Sequence, residues 1–358
     1  MANHKNNDMA VSPVVATLVL IVVAVIGAVA VGTILGTFSS DVSKQANANG
    51  AADASANHIL TAGSTSVLPA SLVLAKSYEA LHPGTQIDVQ GGGSGAGVTA
   101  VGQGICDIGA TSDYSKVTSG LTTYPNLQAY QIGARSVVWI ANTASTATEA
   151  NATEINKLLG GAAAAGNSTA TKLVQRSDAS GTEKAAAAFV GNATFSGDNA
   201  FDAMPAAQTV AASGNAGVLA EVNGNTAGNE IGFVDLGYVF DTTGKFLPTA
   251  GNIKVLAVQG TDGKHFGPAA AVAYVIPGAS GATLRAQALQ SVKDFQAGTP
   301  QVYTSGLTNY PQSLDSGLYY VTNGAPNSVV KSFIDYARSP NGGTDVQTAG
   351  DFSLLEIS

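Results

Sequence analysis

The chain has 358 residues, of which 45% are hydrophobic, so it is long enough for two domains or for one large domain with a tail. Its formal net charge is -8 and only 11% of its residues are charged. This excludes a nucleic-acid partner, because binding to phosphate backbones needs a cluster of Lys and Arg.

The amino-terminal part predicts a membrane anchor. Residues 11–38 form an uncharged apolar run that is longer than the roughly 20 residues needed to cross a bilayer. We predict a leader at 1–10, a transmembrane helix at 11–38 and a flexible linker at 39–57. Residues 8–15 resemble the amino terminus of archaeal type IV pilins, in which a peptidase cuts before the apolar helix, here between Ala10 and Val11. A plain signal anchor fits the same pattern, and both alternatives place the remainder outside the cytoplasm.

The remainder predicts an α/β fold containing three strand–turn–helix units. In the first unit the strand is 58–63, the turn is 64–66 and the helix starts at Val67. In the second the strand is 86–90, the turn is 91–97 and the helix starts at Val98. In the third the strand is 171–174, the turn is 175–181 and the helix starts at Thr182. Each turn brings hydroxyl groups and unpaired backbone N–H groups to a helix amino terminus, where anions are attracted. A single turn of this kind is typical of an ordinary helix cap, so only the set of three indicates binding.

The residues give little support to enzymatic activity. Gly91-x-Gly93-x-x-Ala96 meets a loose dinucleotide pattern, but an exported location disfavours it. The sequence has no phosphate loop of the Gly-x-x-x-x-Gly-Lys type, and its four scattered histidines show no metal-ligand spacing. The single cysteine, Cys106, is flanked by apolar residues and is predicted to lie in the core. We therefore predict no catalysis, no cofactor and no metal.

Four motifs taken in chain order resemble the phosphate-binding proteins of ABC transporters. They are GSTSV (63–67), QGGGSGAG (90–97), DIGATSD (107–113) and RSDASGT (176–182), with further marks at 230–238 and 319–326. The resemblance implies a two-lobed α/β fold of the periplasmic-binding-protein type (type II), with a ligand cleft between the lobes. Lobe 1 is expected at 58–134 and 323–358, and lobe 2 at 135–322, with crossover strands at 135–142 and 317–322.

The same resemblance implies the ligand-binding residues. In lobe 1 they are Thr65, Ser66 and Ser94, and in lobe 2 they are Arg176, Ser180, Gly181 and Thr182. Arginine suits an oxyanion because its planar fork donates two parallel charge-assisted hydrogen bonds. Asp178 is expected to hold the guanidinium of Arg176 in place.

For one ligand-binding position, the acceptor of the phosphate proton, two residues are possible. Some family members carry an Asp after the Gly-Ala-Ser step, where it accepts the proton of phosphate and repels sulfate, and others carry Ser. Here Gly109-Ala110-Thr111-Ser112-Asp113 has one extra residue, so either Ser112 or Asp113 can occupy that place.

The sequence therefore predicts an extracytoplasmic, membrane-tethered protein that binds inorganic phosphate by lobe closure and delivers it to an ABC permease. Two alternatives stay open. The ligand can be another oxyanion, such as sulfate, molybdate or tungstate. The chain can also assemble with itself as a pilin-like surface filament or coat subunit that displays the binding domain.

Overall fold

The structure is a computed structural model that describes residues 57–160, 170–259, 281–297 and 310–358. The predicted leader, the predicted transmembrane helix and all of the linker except residue 57 lie outside the described residues. Within the described ranges, no helix is both long and apolar enough to cross a membrane. Residues 57–358 form one compact unit.

Strands and helices alternate along this unit, as the sequence predicts. The strands are β1 (His58–Gly63), β2 (Gln86–Gly91), β3 (Ile108–Thr111), β4 (Leu127–Asn142), β5 (Glu149–Asn151), β6 (Lys172–Arg176), β7 (Thr209–Ala212), β8 (Glu230–Asp235), β9 (Ile253–Val255), β10 (Ala257–Gln259), β11 (Asp315–Asn323) and β12 (Phe352–Ser353). The helices are α1 (Leu68–Leu81), α2 (Ser94–Gly102), α3 (Tyr114–Gly120), α4 (Ala152–Leu159), α5 (Gly181–Val190), α6 (Gly214–Gly224), α7 (Gly281–Gln296), α8 (Ser328–Ala337), α9 (Pro340–Thr348) and α10 (Leu354–Ile357).

Within the described residues, ten strands form one mixed sheet in the order β2-β1-β3-β11-β4-β8-β6-β7, with β9 and β12 also paired to β4. Strands β1, β2 and β3 are parallel to one another, and so are β6, β7 and β8. Parallel strands joined by helices place their carboxyl ends at one edge, where the following turns meet. We call β1, β2, β3, β11 and β12 with the first part of β4 lobe A. The second part of β4 with β6 to β9 is lobe B.

Strand β4 belongs to both lobes. It pairs with β11 from Leu127 to Ser136 and then with β8 from Val137 to Ala141, antiparallel in both cases. The predicted crossover strands at 135–142 and 317–322 therefore lie inside β4 and β11, which are both longer than predicted.

Helix α2 begins earlier than the sequence predicts. The glycine-rich segment 91–97 was expected to be a turn that ends before Val98, but the helix starts at Ser94 and includes Gly97. A Cβ at Gly97 would lie 2.7 Å from the Ala62 carbonyl oxygen, so glycine is required for the close approach of α2 to β1. Tertiary packing thus overrides the low helix propensity of glycine.

Separate apolar cores stabilise the two lobes. The largest surrounds Trp139, Phe189 and Phe233 in lobe B, while Ile59, Leu74 and Phe333 belong to a second core in lobe A. Cys106 is buried in a third cluster, which confirms its predicted place in the core. Phe352 and Ile357, near the carboxyl end, pack in the core of lobe B.

Candidate functional site

The turns after the three parallel strands of lobe A bring serine hydroxyls together. Ser64 follows β1, Ser94 opens α2 after β2, and Ser112 follows β3. The Oγ of Ser112 lies 3.0 Å from that of Ser64 and 3.3 Å from that of Ser94, and all three residues are buried. The Ser112 backbone N–H also donates to Ser94 Oγ at 3.2 Å. Ser64 was not predicted as a site residue, although it lies in the first motif.

Helix α1 does not use these hydroxyls as a conventional cap. Its N-cap is Val67, which makes no side-chain capping hydrogen bond. Ser66 and Thr65 therefore point elsewhere, and both contact lobe B. The Oγ of Ser66 lies 2.8 Å from Thr182 Oγ1, while Thr65 Oγ1 accepts a hydrogen bond from Arg176 Nη2 at 2.5 Å.

On the side of lobe B, strand β6 ends at Arg176 and helix α5 begins at Gly181. Ser180 is the N-cap of α5, and its side chain accepts the backbone N–H groups of Thr182 and Glu183. A serine hydroxyl that accepts in this way still has its own proton to donate. The Ser-Gly-Thr segment thus combines a helix amino terminus with free hydroxyl chemistry beside lobe A.

Arg176 is a buried cation at the end of β6, with 1% of its surface exposed. Its Nε donates to Asp178 Oδ1 at 2.9 Å and its Nη2 contacts Asp178 Oδ2, so Asp178 orients the guanidinium as expected. Burial raises the pKa of Asp178, but the hydrogen bonds and charge of Arg176 outweigh it and leave that pKa below its ordinary value. Among the described residues, Nη1 of Arg176 has no hydrogen-bond partner.

Ser112 and Asp113 were the two alternatives for the residue that accepts the proton of phosphate. The structure places them in different surroundings. Ser112 lies inside the serine cluster and against lobe B, since a Cβ added at Gly181 would lie 2.6 Å from Ser112 Oγ. Asp113 instead caps α3 by accepting the backbone N–H of Ser115 at 3.0 Å. Both of its carboxylate oxygens also accept hydrogen bonds from Lys184 Nζ in lobe B, at 2.9 and 2.8 Å.

The charge state of Asp113 follows from these partners. Burial raises its pKa, but the hydrogen bonds and charge of Lys184 together with the hydrogen bonds of Ser115 lower it below the ordinary value. The carboxylate is thus ionised and paired across the cleft. A second ion pair, Lys116 with Asp198, joins the lobes with the opposite order of charges.

Three buried residues beneath the site, Arg135, Asn215 and Asp235, were not predicted to be functional. Asp235, at the end of β8, accepts Thr182 Oγ1 at 3.2 Å and Arg135 Nη1 at 2.6 Å. Asn215 donates to its other oxygen at 2.7 Å. Asp235 lies in the motif at 230–238 and Arg135 in the predicted crossover strand at 135–142, but no local pattern shows that Asp235 meets Thr182 and Arg135.

This arrangement is suited to binding an anion. It offers hydroxyl groups, a helix amino terminus and a guanidinium that converge from two lobes, and such donors fit the oxygens of an anion. In the part of the chain that the structure describes, no group of three or more His, Cys, Asp or Glu residues could hold a metal ion.

Comparisons with known proteins identify the family and the fold. A family model described as the PBP superfamily domain matches residues 48–341. A phosphate ABC transporter substrate-binding protein from Clostridium perfringens, crystallised with phosphate, is 18% identical, with a TM-score of 0.54 over 83% of this chain and 100% of that one. An ancestral soluble variant of the human phosphate-binding protein is 20% identical, with a TM-score of 0.56 over 83% and 90% of the two chains.

A high-affinity periplasmic phosphate-binding protein, PfluDING, bound with phosphate, is 18% identical, with a TM-score of 0.55 over 84% of this chain and 92% of that one. At these identities the matches describe the fold. They confirm the two-lobed α/β architecture that the sequence predicts.

Proposed function

The chain belongs to the PBP superfamily, and from this we propose that it binds inorganic phosphate for ABC-type import, without catalysis. The phosphate lies between lobes A and B and is held by hydrogen bonds from both. Three similar structures are phosphate-binding proteins by description, two of them with phosphate bound, which supports the choice of ligand.

The observation that carries this proposal is the unpaired nitrogen of Arg176. A buried guanidinium N–H group without a partner costs free energy, since it has given up its hydrogen bonds to water. Here the Nη1 atom is unpaired among the described residues, while Nε and Nη2 are held by Asp178 and Thr65. A tetrahedral oxyanion between the lobes would satisfy the unpaired nitrogen and accept charge-assisted hydrogen bonds.

We assign the ligand contacts residue by residue. They are Thr65, Ser66, Ser94 and Ser112 in lobe A, and Arg176, Ser180, Gly181 and Thr182 in lobe B. Ser112 is preferred to Asp113, because both carboxylate oxygens of Asp113 are held by Lys184. Asp113 thus acts as an interlobe contact that helps to hold the closed form.

Closure follows from the way in which the two lobes meet. Ser66 and Thr65 reach Thr182 and Arg176 by direct hydrogen bonds, and the Tyr238 hydroxyl donates to the Thr65 carbonyl oxygen at 3.0 Å. A phosphate that is bonded by both lobes adds free energy to the closed form only, so it shifts the population toward closure.

The location and partners of the chain form the finer part of the proposal. The fold is of type II. The apolar segment 11–38 anchors the chain in the cell membrane, and the binding domain lies outside the cytoplasm and delivers phosphate to a permease. The pilin-like segment 8–15 favours assembly of the chain into a surface filament as a second candidate role. Detection of this chain in purified surface filaments would support that role.

Substitution of Arg176 tests the proposed site. Arg176→Met keeps the apolar stem and removes about two charge-assisted hydrogen bonds, which together contribute about 3 to 5 kcal/mol. We expect the Kd for phosphate to rise roughly 150- to 5,000-fold in calorimetric titrations of the full-length chain.

The matched control is Lys331→Met, which removes the same charge from a side chain that is 63% exposed in α8. Thermal melting of each variant reports whether it is folded. Phosphate binding by folded Arg176→Met with the affinity of the wild type would show that the site is assigned wrongly.

A further inference from the structure

Asp235 and Thr182 form a buried pair directly beneath the proposed phosphate site. Thr182 is fully buried and Asp235 is 1% exposed. The threonine hydroxyl lies 3.2 Å from one carboxylate oxygen and 3.4 Å from the other. The carboxylate is held by its ion pair with Arg135 and by the amide of Asn215.

The chemistry of this pair fixes the direction of the hydroxyl proton. A carboxylate that pairs with an arginine accepts hydrogen bonds and donates none, whereas a threonine hydroxyl has one proton and two lone pairs. If the proton of Thr182 pointed elsewhere, lone pairs of two buried oxygens would face each other at 3.2 Å. The proton therefore lies toward Asp235, and only lone pairs of Thr182 remain for other groups.

The neighbour of Thr182 in lobe A agrees with this direction. Ser66 Oγ lies 2.8 Å from Thr182 Oγ1, a distance at which one of the two hydroxyls must donate. Because the proton of Thr182 is already used by Asp235, Ser66 donates. Thr182 is thus an acceptor in a cleft whose other groups, such as Arg176, are mainly donors.

We infer that Asp235, through Thr182, makes the site selective for an oxyanion that carries a proton. This inference rests on the proposed function and deepens it. A protonated phosphate or arsenate donates its P–OH or As–OH to Thr182 in the manner of Ser66. The sensing role that a carboxylate at position 112 would fill passes to Asp235, since this chain has Ser112 there.

The inference separates ligands of the same shape. Sulfate and monofluorophosphate are tetrahedral dianions at neutral pH but carry no proton, so their oxygen or fluorine atoms would face the lone pairs of Thr182. A buried polar contact left unsatisfied in this way weakens binding roughly 10- to 100-fold. We expect the full-length wild-type chain to bind phosphate and arsenate more tightly than the other two by that factor.

Thr182→Val tests the role of Thr182 as an acceptor, because valine matches threonine in shape and removes the hydroxyl. We expect phosphate affinity to fall roughly 10-fold or more, while sulfate affinity stays within about 3-fold of the wild-type value. The ratio of phosphate affinity to sulfate affinity therefore decreases. Thr182→Ser keeps a hydroxyl beside Asp235 and is expected to preserve the ratio. Equal losses for phosphate and sulfate in Thr182→Val would show that Thr182 donates, and would overturn the inference.

Asp235→Asn tests the positioning role of the carboxylate. Its amide can donate to Thr182 and release the hydroxyl proton toward the ligand, so we expect the preference for phosphate over sulfate to fall at least 5-fold. If this variant does not fold because Arg135 loses its partner, the ratio measured for Thr182→Val still decides.

The wild-type measurements keep this inference distinct from the proposed function. Phosphate binding with equally tight sulfate binding would overturn the inference and leave oxyanion binding intact. If none of the four anions binds, the proposed function is wrong and the inference falls with it.

Discussion

A methyl group at Gly93 should obstruct closure of the two lobes. Gly93 precedes α2 in lobe A, and a Cβ built on it would lie 2.4 Å from the carbonyl oxygen of Ala179 in lobe B. Ordinary contact begins near 3.4 Å, so in Gly93→Ala the two backbones must move apart by about 1 Å. The same shift would lengthen the 2.8 Å contact between Ser66 and Thr182 to about 3.8 Å, beyond hydrogen-bonding distance.

The energetic consequence can be worked from the contacts that are lost. The Ser66–Thr182 bond is neutral and the Thr65–Arg176 bond involves a charged donor, so together they contribute about 2 to 4 kcal/mol to the closed form. We expect calorimetry to give a Kd for phosphate that is roughly 30- to 1,000-fold higher in Gly93→Ala than in the wild type.

Gly84→Ala is the matched control for backbone strain. Gly84 has φ +95° and Gly93 has φ +92°, so an alanine at either position is strained by about 1 to 2 kcal/mol. A Cβ at Gly84 meets no described atom within 4 Å. Both variants should lose similar thermal stability, but only Gly93→Ala should lose affinity. A Kd for Gly93→Ala within threefold of that for Gly84→Ala would refute the steric reasoning.

Three further predictions follow from buried and paired charges. Lys184→Met and Lys116→Met each remove an ion pair between the lobes. In titration calorimetry each should raise the Kd for phosphate about 2- to 5-fold at low salt and less at high salt. An unchanged Kd at low salt would contradict this prediction. Burial raises the pKa of Glu183 to about 8 from an ordinary value of 4.5, so its stabilising contribution is present at low pH and is lost as the pH rises through about 8. The melting temperature of the wild type relative to Glu183→Gln should therefore fall between pH 5 and 9, and a rise over that range would contradict the prediction. Burial raises the pKa of Cys106 to about 12. A thiol reagent at pH 8 should therefore modify Cys106 at least 100-fold faster in denaturant than in the native protein. Equal rates would show that the thiol is not protected.

The sequence predicted those turns of the candidate site that are local in the chain. The turns after β1, β2 and β6 carry their hydroxyl groups within a few residues of a strand end and a helix start, so pattern and capping chemistry locate them. The crossover segments came from the family resemblance, and they lie inside β4 and β11.

Other parts depend on contacts between distant segments. Asp235 meets Thr182 and Arg135 across separations of 53 and 100 residues, and no local pattern encodes these distances. The choice between Ser112 and Asp113 depends on how the extra residue after β3 is accommodated and on the position of Lys184 in lobe B. The early start of α2 depends on the approach of Gly97 to β1.

The strand order also constrains when the sheet of each lobe can be completed as the chain emerges from the ribosome. The sheet of lobe B uses strands that lie between residues 137 and 255, so it can assemble from one contiguous stretch. In lobe A, β11 from residues 315–323 is inserted between β3 and β4. The amino-terminal strands must therefore wait for a segment made near the end of synthesis, and such non-local pairing slows folding. Until then lobe A leaves the edge of β3 open, and that edge is the place where a chaperone or a premature aggregate would bind.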